Sequence, residues 1–237
     1  MEWIDEAIVI SSRPHGENAA VVTALTREHG RHAGLVRGGV GRRARGSIQP
    51  GNRVHLEWKA RLAEQLGTYT WELLAPDGTR WLGDPKRLAV VVSACALVDA
   101  TIPERESHPA AFGALAGLLG ALAVEDWASR YVRWELGLLT ELGYGLDLSS
   151  CAATGSNDDL AFVSPRTGRA VSLSAGEAYR DRLLVLPTFL GTGRAASPDE
   201  LRAGLTLTGH FLERWVFATL GKRVPAARTR LVAVIAA

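Results

Sequence analysis

The apolar pattern of this 237-residue chain changes near residue 80. Before that point, short segments alternate between apolar and polar residues, and turns containing glycine or proline separate them. After that point, apolar residues recur mainly at helical spacing. The pattern predicts an α+β multidomain chain, with an N-terminal OB-fold β-barrel at 1–80 and a mainly α-helical C-terminal domain at 81–237.

Five strands are predicted in the first part, at 7–11, 19–26, 32–37, 53–61 and 68–74. In the fourth strand Val54, Leu56 and Trp58 share one face, so one side packs and the other carries charge. In the fifth strand Tyr69 and Trp71 share the apolar face. Core packing is the favoured interpretation for both, and stacking on nucleic-acid bases is the alternative.

The second part is predicted to contain helices at 85–98, 109–123, 125–142, 174–184, 197–220 and 225–234. The sequence Ser-Pro-Asp-Glu from Ser197 is typical of a capping box that starts a helix. The segment 147–173 is predicted to be a loop or hairpin insertion.

Positive charge is concentrated in one glycine-containing segment of the first part. Residues 27–61 contain nine Arg and Lys residues against two Glu, although the net charge of the whole chain is only +2. Cations on a flexible backbone suit a polyanion, because each neutralised phosphate releases counterions. The predicted nucleic-acid-binding residues are Arg31, Arg37, Arg42, Arg43, Arg45, Arg53, Lys59 and Arg61.

Other functional classes find little support in the sequence. The segment 39–44 fits a dinucleotide-binding fingerprint, but no strand-helix-strand unit surrounds it. His29 and His32 lack further ligands at metal-binding spacing, and no catalytic motif occurs. We therefore expect no enzymatic activity, no cofactor and no metal.

Two cysteines, Cys95 and Cys151, provide no disulfide framework. The chain also shows neither a secretory signal nor an apolar run of membrane-spanning length. These observations predict a cytoplasmic, nucleoid-associated protein that does not bind membranes.

The order of these features resembles the bacterial RecO family of DNA recombination mediators. The segments that carry the resemblance are Glu-Ala-Ile-Val-Ile from Glu6, Leu-Val-Arg-Gly-Gly from Leu35, Gln-Pro-Gly-Asn from Gln49 and the stretch 136–148 before Cys151. Many members carry four zinc-binding cysteines after that stretch. Here Cys151 stands alone, with Thr154 at the expected partner position, so we expect no zinc.

The resemblance implies a DNA repair protein that binds single- and double-stranded DNA, anneals complementary strands without ATP, and assists RecA loading onto protein-coated single strands. It also implies two protein partners, RecR and the C-terminal tail of the single-stranded DNA-binding protein. A candidate surface for that acidic tail consists of Trp127, Arg130, Arg133 and Trp134. The alternative function is a protein-binding adaptor with only incidental affinity for nucleic acids.

Overall fold

In the computed structural model, the five N-terminal strands form a closed barrel. They are β1 (Glu2–His15), β2 (Ala19–Thr26), β3 (Arg31–Arg37), β4 (Arg53–Lys59) and β5 (Thr68–Ala75). Their order around the barrel is β1-β2-β3-β5-β4. The structure describes the backbone of residues 1–236, and their side chains except those of Arg42, Arg43, Arg45 and Ala236. The predicted OB-type barrel and the α+β class are confirmed.

The long first strand closes the barrel. Its first half, from Glu2 to Ile8, pairs with β4, and its second half, from Ala7 to His15, pairs with β2. The register shifts between Val9 and Ser11, which is typical of a β-bulge that bends a strand from one partner to the next. Among the described barrel strands, β3 and β5 pair in parallel and the other neighbours pair antiparallel.

The barrel core is apolar and small, and its members alternate along each strand as the sequence predicts. The buried residues are Ala7, Val9, Ala20, Val22, Ala24, Val36, Ile48, Val54, Leu56, Trp58 and Tyr69.

Helices accompany the barrel within one compact unit, which comprises residues 1–120 and Pro225–Leu231. They are α1 (Arg42–Ser47), a 3₁₀ turn (Thr79–Trp81), α2 (Pro85–Thr101), most of α3 (Pro109–Ala121) and the first part of the last helix of the chain. The Asp84 carboxylate caps α2 by accepting from the backbone N–H groups of Lys86 and Arg87 at 3.1 and 3.0 Å. Helix α2 packs on the barrel, where Cys95 Sγ lies 3.8 Å from the carbonyl oxygen of Val9.

This packing gives the first compact unit a limit that differs from the sequence-based one. The unit reaches Gly120, because α2 is buried against β1, whereas the change in apolar pattern predicts a domain limit at residue 80. The predicted domain limits, 1–80 and 81–237, therefore stay a prediction.

The second compact unit comprises residues 121–224 and a segment that begins at Val232. Its elements are α4 (Trp127–Glu141), β6 (Leu160–Val163), β7 (Ala170–Ser172), α5 (Leu173–Gly176), a 3₁₀ turn (Glu177–Arg182), β8 (Leu184–Val185), α6 (Phe189–Thr192), α7 (Pro198–Phe211) and a π-helical segment (Leu212–Phe217). The last helix of the chain is α8 (Ala226–Ala236). The three strands form a sheet in the order β7-β6-β8.

Two local predictions for this unit can be compared directly with the structure. Ser197 and Glu200 form the complete capping box at the start of α7. The hairpin of β6 and β7 lies within the insertion predicted at 147–173.

A buried carboxylate joins α4 to α7. The Glu135 carboxylate accepts from the hydroxyls of Tyr131 and Thr208 at 2.7 and 2.5 Å.

Candidate nucleic-acid interface

Between β3 and β4, the basic segment forms the short helix α1 rather than an open loop. Gly38 has a φ of +69°, and Gly41 precedes the helix in an extended conformation. A Cβ added at Gly39 would lie 2.7 Å from the Cβ of Ala20, so only glycine lets this turn approach β2. The three arginines of the segment, Arg42, Arg43 and Arg45, are therefore carried on α1, although their side chains lie outside the described residues.

Asn52 fixes the carboxyl end of α1. Its buried side-chain amide donates to the carbonyl oxygens of Gly46 and Ser47 at 3.0 and 3.1 Å. Its carbonyl oxygen accepts from the backbone N–H groups of Gly78 and Thr79, both at 3.1 Å. One buried side chain thus joins the basic helix to the segment that follows β5, because every polar atom of the amide finds a partner.

A second contact joins α1 to β5. The indole N–H of Trp71 donates to the hydroxyl of Ser47 at 2.8 Å, and that hydroxyl donates to the carbonyl oxygen of Ala44 at 2.9 Å. A cleft of about 800 Å³ lies between the two elements. The cleft is lined by Gly38, Gly41, Ala44, Gly46, Ser47, Trp71, Glu72 and Leu73.

The two aromatic residues of β5 have different environments. Tyr69 is 4% exposed and its hydroxyl lies 3.0 Å from Nδ1 of His32, so it belongs to the barrel core. Trp71 is half-buried and lines the cleft, while Leu73 beyond it is 41% exposed. Tyr69 therefore lies in the barrel core as its parity predicts, whereas Trp71 packs against the edge of that core and is partly exposed to the cleft.

Two of the predicted cations, Arg53 and Lys59, are each paired with two carboxylates. Arg53 Nε lies 2.6 Å from Asp77 Oδ2, and its Nη1 lies 3.4 Å from Glu6 Oε1. The ammonium of Lys59 lies 2.6 Å from Glu57 and 3.3 Å from Glu2. Neither side chain presents an uncompensated charge to the surface around α1.

Arg31 is held by the helix that packs on the barrel. Its Nε donates to the carbonyl oxygen of Ile102 at 2.7 Å, and its Nη1 lies 3.4 Å from Asp99. Among the predicted cations whose side chains the structure describes, Arg31, Arg53 and Lys59 are therefore each held by a partner on another part of the chain or on their own strand. The DNA contacts of the individual residues stay a prediction.

Arg37 and Arg61 are exposed, and neither forms an ion pair with any of the described residues. Arg37 ends β3 directly before the turn that leads to α1, whereas Arg61 follows the opposite end of β4.

Strand pairing adds one cation that the sequence analysis missed. Arg13 on β1 is exposed and has no ion-pair partner in the described part of the chain. It lies two residues from His15, whose partner Ala19 also pairs with Arg37. A charge count over consecutive residues cannot find Arg13, because antiparallel pairing rather than sequence proximity brings it near Arg37.

The four residues predicted to bind an acidic peptide do not share one exposed surface. Trp134 is 8% exposed and packs against Tyr131 at a ring distance of 5.8 Å. The Arg133 guanidinium donates to the carbonyl oxygens of Phe189 and Arg194 at 3.1 and 2.7 Å. Trp134 therefore packs inside and Arg133 holds a loop, and the role of the four residues in partner binding stays a prediction.

The other two residues of that set lie at the start of α4. Trp127 is half-buried, and Arg130 is exposed with its Nε 3.3 Å from Asp126.

Neither cysteine takes part in a metal-binding cluster. Cys95 and Cys151 are both buried, and Cys151 Sγ accepts from the backbone N–H of Ser172 at 3.3 Å. Within the described residues, no group of three His, Cys, Asp or Glu side chains is arranged to hold a metal ion. The absence of zinc stays a prediction.

Comparison with known proteins identifies the family. The model of the family described as Recombination protein O N terminal matches residues 1–76, and that of Recombination protein O C terminal matches residues 82–223. The chain belongs to the RecO family.

Several relatives named DNA repair protein RecO align over almost the full length. The protein of Rhodospirillum centenum is 62% identical over 234 residues, which cover 98% of this chain and 94% of the relative. Those of Rhodospirillum rubrum and Caulobacter vibrioides are each 47% identical, again over 98% of this chain and over 95% and 96% of the relatives. This similarity supports a role in recombinational DNA repair.

The helices were also compared with the requirements for crossing a bilayer. No helix among the described residues is both long enough and apolar enough to do so.

Proposed function

We propose that this RecO family member is a non-enzymatic recombination mediator, which binds DNA through the barrel end that carries α1, anneals complementary single strands and assists RecA loading. The observation that carries the proposal is the fixed position of α1. Its backbone bears Arg42, Arg43 and Arg45, and Asn52 and Trp71 hold it beside an open cleft. Arg37 precedes this helix and Arg13 lies on the neighbouring hairpin.

The proposed mechanism requires charge neutralisation and no bond making. Two complementary strands repel each other because both carry a phosphate charge at every nucleotide. Arginines that neutralise phosphates lower this repulsion, and base pairing supplies the favourable free energy of annealing. Trp71 lines the cleft beside α1. In the proposed complex its ring would stack on a base while the arginines contact the backbone, as aromatic residues do in single-strand-binding barrels.

The proposed protein partners are RecR and the acidic tail of the single-stranded DNA-binding protein, with RecA as an indirect partner. For the tail, Trp127 and Arg130 remain the candidate contacts in the second compact unit, because they are the accessible members of the predicted set. A titration of the tail peptide against R130A tests this assignment, which equal affinity for the variant and the wild type would reject.

A salt series on the triple variant R42A/R43A/R45A tests the DNA-binding proposal. With about four or five phosphates contacted, the slope of log affinity against log salt is expected to be about −3 for a single strand. Removing three cations should flatten this slope by about 2 and weaken binding at low salt by at least tenfold. The variant R166A/R180A/R182A is the matched control, because it removes the same charge from exposed positions of the second compact unit.

Annealing of complementary strands coated with single-stranded DNA-binding protein, without nucleotide or metal, should decline in the α1 variant in parallel with DNA binding. An unchanged slope would remove α1 from the DNA site. A wild-type protein that binds its protein partners but not oligonucleotides at moderate salt would indicate the adaptor instead.

A further inference from the structure

A second group of cations lies where the chain leaves the barrel and enters α2. After β5, the chain forms the 3₁₀ turn Thr79–Trp81 and begins α2 at Pro85. Arg80 in this turn and Lys86 in the first turn of α2 are both exposed. The concentration of positive charge at residues 27–61 includes neither of them, so only the structure relates them to α1.

The 3₁₀ turn is fixed to the carboxyl end of α1. The Asn52 side chain that binds the last carbonyl oxygens of α1 also accepts from the backbone N–H groups of Gly78 and Thr79. An added Cβ at Gly78 would lie 2.0 Å from the carbonyl oxygen of Pro50, so only glycine lets the two segments approach this closely. The turn that carries Arg80 therefore begins directly beside α1.

Helix α2 starts at the barrel end that carries α1, which we call the α1 end. An added Cβ at Gly51 would lie 2.5 Å from the Val91 side chain, so the first half of α2 packs on the turn that follows α1. At the opposite end of the barrel, Asp99 lies 3.4 Å from Arg31, the first residue of β3. Because Lys86 precedes Val91 in the helix, it lies at the α1 end.

Arg80 is held on an aromatic ring. Its guanidinium carbon lies 5.1 Å from the centroid of the Trp81 ring, and the guanidinium carbon of Arg87 lies at the same distance from that ring. A cation–π contact restricts the long arginine side chain without using its N–H groups. In the described part of the chain, no residue accepts a side-chain hydrogen bond from Arg80, so its N–H groups are available to a ligand.

The carboxylates near these two cations are engaged by other groups. Asp77 lies 2.6 Å from Nε of Arg53. Asp84 caps α2 and lies 2.5 Å from Nη1 of Arg87. The two exposed cations form no ion pair with any residue that the structure describes, so two positive charges stay uncompensated beside α1.

The charge of Lys86 is unfavourable for its own helix. The macrodipole is positive at the start of a helix and favours acidic residues there, yet the first turn of α2 contains none. A cation at this position therefore costs some stability, and no carboxylate among the described residues offsets the cost. A bound polyanion would offset it.

We propose that Arg80 and Lys86 form a second phosphate-binding site, which extends the DNA surface past α1 to the start of α2. This inference rests on the proposed DNA binding by α1. Helix α1 would lie between two groups of cations, with Arg13 and Arg37 before it and the new site after it. The guanidinium offers paired N–H groups to a phosphate and the ammonium adds a point charge. A strand too short to reach past α1 would not use this site.

Fluorescence anisotropy with oligothymidines of two lengths tests this proposal. OB folds contact about 4 to 16 nucleotides, so strands of about 6 and about 25 nucleotides distinguish occupancy of α1 alone from occupancy of both sites. In the wild type, the slope of log affinity against log salt should be steeper by about 1.4 for the longer strand, because each phosphate contact contributes about 0.7. The variant R80A/K86A should remove this difference and bind the longer strand about fivefold more weakly, with less than about twofold change for the shorter one.

Two further variants control for charge and for position. R80K/K86R keeps both charges and should retain the steeper slope of the wild type with the longer strand. R166A/R182A removes two cations from exposed positions of the second compact unit and should bind both strands as the wild type does.

An unchanged slope and affinity of R80A/K86A for the longer strand would overturn the proposal, even if R42A/R43A/R45A flattens the slope as the proposed function requires. A flattened slope in R80A/K86A with an unchanged slope in the α1 variant would reject the proposed function instead. If R80A/K86A lost affinity for the acidic tail peptide but not for DNA, the two cations would belong to a protein-binding surface and the proposal would be wrong.

Discussion

The two ends of the barrel are built on the same strands but differ in chemistry. At one end, Arg13 and Arg37 are exposed without carboxylate partners in the described residues, and α1 carries three further arginines. At the other end, which we call the aromatic end, Trp3, His32, Glu2 and Glu28 line a pocket, and the ammonium of Lys59 is paired with Glu57 and Glu2. An excess of positive charge along a sequence therefore does not define one surface, because each cation takes the partners that strand register supplies.

We expect the largest effect for N52A, a substitution that removes the contacts holding α1 but leaves every charge in place. This substitution removes the partners of two backbone carbonyls and two backbone N–H groups. We expect the free energy of unfolding to fall by about 3 to 4 kcal/mol, as for other buried groups left without hydrogen bonds, and DNA affinity to fall because α1 is released. Urea unfolding measures the first effect, and fluorescence anisotropy of a labelled oligonucleotide measures the second.

The exposed Asn18 offers a matched control, and N18A should change stability by less than about 0.5 kcal/mol. A stability loss below about 1 kcal/mol in N52A would show that α1 is held by other contacts.

The aromatic end should respond to pH through His32. Since burial lowers its pKa in the folded protein to about 4, the unfolded chain binds more protons between about pH 6.5 and 4. Stability is therefore highest above about pH 6.5 and decreases as the pH falls toward 4. In H32Q, which keeps a partner for the Tyr69 hydroxyl, this contribution should be absent.

When the pH falls from 7 to 4, the wild type should lose about 2 to 3 kcal/mol more unfolding free energy than H32Q. Urea unfolding over this pH range measures it, with H55Q, at an exposed histidine of β4, as the matched control. Parallel pH profiles for H32Q and the wild type would contradict this account of the aromatic end.

The cleft beside α1 should contribute to DNA affinity through base stacking on Trp71 rather than through charge. We expect W71A to lower affinity for a single-stranded oligonucleotide about fivefold to tenfold, the range found for loss of one base-stacking contact. The salt slope should stay the same, because no cation is removed. W127A, at a half-buried position of the second compact unit, is the control, and an altered slope in W71A would mean that α1 had moved.

The smallest effect is expected for DNA binding by E2Q/E28Q. If DNA contacts only the α1 end, the two carboxylates lie beyond most of its screened field at physiological salt, and affinity should change less than about twofold. The salt-dependent anisotropy measurement applies here as well. An increase of more than about fivefold would show that the DNA path crosses the aromatic end.

The sequence predicted the barrel well where alternation is regular. Val54, Leu56 and Trp58 point into the core as their spacing indicates. It predicted β1 too short, because Glu2, Asp5 and Glu6 interrupt the apolar pattern in a part of the strand that is set by pairing with β4.

The candidate site was less accessible to sequence reasoning. The glycines between β3 and β4 are typical of a flexible loop, yet this part of the chain forms α1, because Asn52 and Trp71 bind it from outside the helix. Arg133 and Trp134 show the same limit, since helical spacing places both on α4 but does not reveal that one binds a loop and the other is buried.

By itself, the sequence determined the succession of strands and helices, the barrel class and the concentration of cations before residue 61. These are local properties, since side-chain alternation and glycine spacing act within a few residues. Only the tertiary structure decided which cations are neutralised. The carboxylates that pair with Arg53 and Arg31 lie 24 and 68 residues away, so closure of the barrel and packing of α2 bring them together.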